Sequence, residues 1–139
     1  MTPSLPLQFA YRPDLDLFTA RWGTTYTGST TQAEYNALLE APEALGTPHW
    51  LLDVRRRPVI TLESARWVTQ DWLPRVAAAL RPARLRLAFL VAPVRAENLR
   101  ADPDLRAVME AAYAPGHPFD LRTFTDEGAA VAWVLGQLA

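Results

Sequence analysis

The residues that could do chemistry in this sequence lie mainly between Asp53 and Ser64. Asp53 sits near the end of the apolar run Trp50-Leu51-Leu52-Asp53-Val54, and Arg55, Arg56 and Arg57 follow it directly. An acid at the carboxyl end of a buried strand is where α/β folds place catalytic carboxylates, because ligands bind outside those strand ends. Three arginines behind it also suit a plainer role, a charge-paired turn residue. The arginine run could itself hold a small anion. Thr61 is expected as the N-cap of the next helix and Ser64 as a first-turn serine. A phosphate on either would be stabilised by free backbone N–H groups, by the helix dipole and by Arg55, Arg56 and Arg57, and opposed by Glu63.

Missing residue types exclude much else. The chain has no cysteine, so thiol nucleophiles, thiolate metal sites and redox disulfides are ruled out together. All fourteen basic residues are arginine, which removes Schiff-base chemistry and the lysine of a phosphate-binding loop. His49 and His117 lack an acid or a second histidine at ligand spacing, and are expected to be solvated or capping. Ser4, Ser29 and Ser64 lie in no Gly-x-Ser-x-Gly setting, and the six glycines are scattered. No catalytic residue, metal site or cofactor is assigned.

These residues must be held by an α/β framework. Leu7 to Tyr11 and Asp16 to Thr24 alternate in polarity around the turn Arg12-Pro13-Asp14, as an antiparallel hairpin would. Thr31 with Glu34 reads as a capping box opening a first helix. The short apolar run at His49 to Val54 reads as a strand buried on both faces. From Thr61, residues Leu62, Ala65, Val68, Trp72, Leu73, Val76 and Leu80 share one helical face. Further strands are expected at 85 to 92 and Phe119 to Thr125. Helices are expected from Asp102-Pro103-Asp104 and from Thr125-Asp126-Glu127. The order ββαβαβαβα, with about five strands and four helices, predicts one domain over residues 1–139 with a mixed, mostly parallel sheet.

Two surface features bear on partners. On the wheel of the second helix Trp67 and Pro74 fall opposite the sheet face with Ala78 beside them, which predicts an aromatic patch for a protein partner or a homodimer. Residues 55 to 94 carry eight arginines against Glu63 and Asp71, a local charge of +6. The arginines split between opposite ends of the sheet, roughly 25 to 30 Å apart, with no interleaved aromatic platform, which argues against nucleic acid. The longest apolar stretch, Leu87 to Val94, is far short of the roughly 20 residues that span a bilayer, so no membrane insertion is expected. The first six residues lack the pattern of a signal peptide, so a cytoplasmic location is the default.

The strand Leu51-Leu52-Asp53-Val54 leading to a capped helix, and the ending Phe124-Thr125-Asp126-Glu127-Gly128-Ala129-Ala130-Val131-Ala132-Trp133-Val134, resemble the STAS-like group of small bacterial proteins. That group is related to anti-sigma-factor antagonists and borders on SEC14-like lipid-binding domains. The resemblance implies a non-enzymatic interaction or regulatory module, switched in better-studied members by phosphorylation of a serine where the second helix begins. Thr61-Leu62-Glu63-Ser64 stands where those members carry Asp-Ser-Ser-Gly, so Thr61 and Ser64 are the hydroxyls left to inherit the switch. The alternatives are a domain binding a small anionic or lipid ligand between helices, and an enzyme using Asp53 and Arg55.

Overall fold

The computed structural model describes residues 7–23, 31–57 and 59–137. Strands β1 (Leu7–Arg12) and β2 (Leu17–Trp22) form the expected hairpin, with Leu7 opposite Trp22 and Arg12 opposite Leu17. Helix α1 (Thr31–Glu40) and a short 3-10 turn (Ala44–Gly46) lead to β3 (His49–Asp53). Helix α2 (Leu62–Trp67), a π turn (Val68–Trp72) and α3 (Leu73–Leu80) run on as one rod into β4 (Leu85–Leu90). Helices α4 (Pro93–Ala101) and α5 (Pro103–Tyr113), strand β5 (Phe119–Phe124) and helix α6 (Glu127–Val134) follow. No helix among the described residues is long and apolar enough to cross a membrane.

The five strands lie in chain order, β1-β2-β3-β4-β5, antiparallel only at the first pair. Each parallel step moves one place in the same direction, and right-handed crossovers then put every connecting helix on one face. Phe18, Trp50, Leu52, Leu87 and Phe89 fill that face beneath α1, the α2–α3 rod and α5. Only α6 connects to no later strand, and it turns to the other face, where Ala130, Trp133 and Val134 cover Leu17, Leu51 and Leu90. Strand β3 is thus central and sealed on both sides, as its unbroken apolar run requires.

The rod is the middle of three helices on its face, with α1 along one flank and α5 along the other. This corrects the outward-facing indole expected at Trp67. Trp67 is half-buried against the core, its ring meets Tyr35 of α1 edge-on at 6.3 Å, and the Arg75 guanidinium stacks over it at 5.6 Å. Pro74 is half-buried too, and only Ala78 of the three stands exposed. A helical wheel tells which side faces the sheet; it carries no information on a neighbouring helix along the flank. Pro74 has no backbone N–H to continue the helical bonding, and a π turn stands just before it, where the Leu73 N–H donates to the Val68 carbonyl five residues back.

Two other local expectations change. Thr31 is the first residue inside α1 rather than its cap, and the Glu34 carboxylate is spent on Arg57 instead of a capping box. Helix α4, between β4 and α5, is an addition to the expected order. It buries only Arg95 and Leu99, so its sequence carries almost no apolar stripe.

Candidate functional site

Two polar clusters lie where β2, β3 and β4 end, one on each face of the sheet. On the α6 face, Asp53 accepts hydrogen bonds from Arg21 Nη1 at 2.7 Å, from Arg55 Nε at 2.9 Å and Nη2 at 2.8 Å, and from the Arg55 backbone N–H at 3.1 Å. Glu127, in the first turn of α6, accepts from the same two guanidiniums, at 2.9 and 3.1 Å from Arg21 and 3.2 Å from Arg55. The group is closed: two acids, two arginines, no net charge. Burial acts to raise the Asp53 carboxyl, but the hydrogen bonds from Arg55 and Arg21 outweigh it and hold Asp53 below the usual carboxylate range. Glu127 is likewise lowered, chiefly by the hydrogen bonds from Arg21.

On the other face a cleft of about 120 Å³ opens between the beginnings of α1 and α2. Thr31, Glu34 and Tyr35 line it from α1, and Thr61 and Ser64 from the start of α2. Arg57 enters from the β3–α2 loop and Arg95 from α4. The Thr61 hydroxyl accepts the Ser64 backbone N–H at 3.1 Å, the cap expected from the sequence. Arg57 donates to Glu34 at 3.1 Å and to the Gly23 carbonyl at 3.3 Å, and its own carbonyl accepts from Arg95 Nη1 at 3.0 Å. This cleft is no topological switch point, because the strand order never reverses. It lies between the beginnings of two helices on the same face, beyond the strand ends.

The arginine run therefore does not converge on one anion. Arg55 belongs to the Asp53 cluster, Arg56 is exposed without an ion pair among the described residues, and only Arg57 reaches the cleft. Thr61 and Ser64 do meet Arg57 there. Farther along, Arg84 pairs with Asp120 at 3.0 Å, while Arg86 lies over the Trp133 ring at 4.0 Å and donates to its carbonyl, so these two arginines of the second basic cluster are used internally. His49 and His117 bond the carbonyls of Asp16 and Ala111. A wider groove of about 510 Å³ runs along α4 and α5, but Arg106 there faces Glu110 at 3.9 Å and Arg100 pairs with Glu97. Among the described residues no cluster of side chains is suited to a metal ion.

Sequence reasoning missed Glu34, Tyr35 and Arg95 as parts of a site. The one available signal for Arg95 was Pro93, suited to the first position of a helix; nothing in the local pattern marks an arginine two residues later as buried. Comparison with protein-family models, curated proteins and solved structures gave no match.

Proposed function

We propose that this chain is a non-enzymatic, cytoplasmic regulatory module of STAS-like kind that takes a small ligand in the cleft between α1 and α2. The carrying observation is convergence: Thr31, Thr61, Ser64, Arg57 and Arg95 line one concavity from four segments of the chain. Concave sites with a few convergent polar groups are where small molecules bind. Alternation of strands and helices after an opening hairpin supports the STAS-like part of the reading, with α4 as a departure from it.

Two observations weigh against the other readings. A general base needs a free lone pair and a pKa near the working pH, whereas Asp53 holds four hydrogen bonds from two arginines and is shifted the other way. Docking through the second helix needs an exposed anchor, and Trp67 is engaged by Tyr35 and Arg75. A thermal-shift screen of small metabolites on the wild type and on Ser64→Trp, which fills the cleft, tests the proposal. Compounds that raise the melting temperature of the first and not the second are expected. A screen in which no compound distinguishes the two proteins rejects it.

A further inference from the structure

Arg95 is only 6% exposed, yet among the described residues no carboxylate pairs with its charge. Its Nη1 donates to the Arg57 carbonyl at 3.0 Å and the Tyr35 phenol lies close to it, but its Nε is buried with no hydrogen-bond partner. It takes part in no ion pair among the described residues. Residues 1–6, 24–30, 58 and 138–139 contain no aspartate or glutamate, so no acidic side chain of the undescribed segments can supply one. Arginine does not escape burial by losing its proton, so an uncompensated buried guanidinium is costly. Glu34 is the one acid lining the cleft and is already held by Arg57, which leaves the cleft with one positive charge in excess.

We infer that Arg95 receives the oxyanion of a small ligand, a carboxylate or a phosphate group, as its missing counter-ion. This rests on the cleft being a ligand site and adds the chemistry of what it takes. A buried water needs about 10–15 Å³, so a cleft of about 120 Å³ has room for a group of several heavy atoms. Behind Arg95 lies a recess of only about 20 Å³ among Val68, Phe89 and Leu99. It is too small and too apolar for an anion, so the ligand approaches Arg95 from the cleft. An oxyanion in the cleft would accept charge-assisted hydrogen bonds from the guanidinium and so answer its uncompensated charge.

The test uses the full chain, labelled with nitrogen-15 and titrated with sodium acetate, sodium phosphate or neutral acetamide to roughly 20 mM against sodium chloride at matched ionic strength. The arginine Nε–H resonance absent from Arg95→Met should move saturably with acetate, with phosphate or with both. The melting temperature should rise by about 2–4 °C with the same anion. Response to acetate alone makes the ligand a carboxylate, and response to phosphate alone a phosphate ester. Arg95→Met and Ser64→Trp should each lose the thermal response, so the result stands even if one of them fails to fold. The inference is overturned if neither anion exceeds chloride, or if the thermal response survives in Arg95→Met. Binding of acetamide, or of a neutral compound from the metabolite screen, without binding of either anion would keep the cleft as a ligand site and remove its anionic character. Silence in every arm would remove both.

Discussion

The Asp53 cluster and the Arg95 cleft begin at the same strand end and reach opposite electrostatic outcomes. Asp53 points to the α6 face, where Arg21, Arg55 and Glu127 balance it hydrogen bond for hydrogen bond. Val54, the next residue, points to the other face and lines the cleft, where Glu34 balances Arg57 and nothing balances Arg95. Buried polar groups in folded proteins are nearly always satisfied, so a closed cluster is explained by the fold and an open one requires something more. The residue that looked most catalytic in the sequence is the better satisfied of the two.

That contrast can be broken by substitution. Asp53→Ala should have the largest effect, about 1–2 kcal/mol lost in urea unfolding, because Arg21 and Arg55 lose a nearly buried acceptor; both arginines are partly solvated and keep Glu127, which limits the loss. Arg95→Met should have the opposite sign, a gain of about 1 kcal/mol in the ligand-free protein, since an apolar chain replaces an unpaired buried charge. Equal losses from the two would mean that Arg95 is as well compensated as Asp53 and would erase the distinction.

Acid unfolding sharpens the comparison further. Asp53 and Glu127 hold their carboxyls below the usual range when folded, so the unfolded chain takes up protons first as the pH falls. The stability they contribute is present above about pH 4 and is lost as the pH drops through their folded values. Asp53→Asn should flatten the acid limb of the stability curve, while Arg95→Met should leave its slope unchanged; a wild-type slope in Asp53→Asn would contradict the network. The smallest effect belongs to Arg56→Ala, which should alter stability by less than about 0.5 kcal/mol and leave any acetate response intact.

Much of the framework was legible because it is written in local patterns. The continuous apolar run at Trp50 to Leu52 announced a central strand, and the strand is buried on both faces. Thr61, Asp102 and Asp126 announced their helices because a cap is a bond between residues two or three apart, and all three side chains accept those backbone N–H groups. Helix α4 was missed because it buries too little to leave a stripe, and Trp67 was misplaced because the flank of a middle helix is covered by an element distant in sequence.

From its residues alone this chain determines an α/β domain with a mostly parallel sheet, since strand alternation, helical periodicity and caps act over a few residues. Only the tertiary structure decided which charges meet. Asp53 and Glu127 are 74 positions apart and share two arginines, whereas Arg95 comes to rest beside Arg57 with no ion-pair partner among the described residues. Charge compensation is a property of what is brought together in space, and no local pattern in a sequence encodes it.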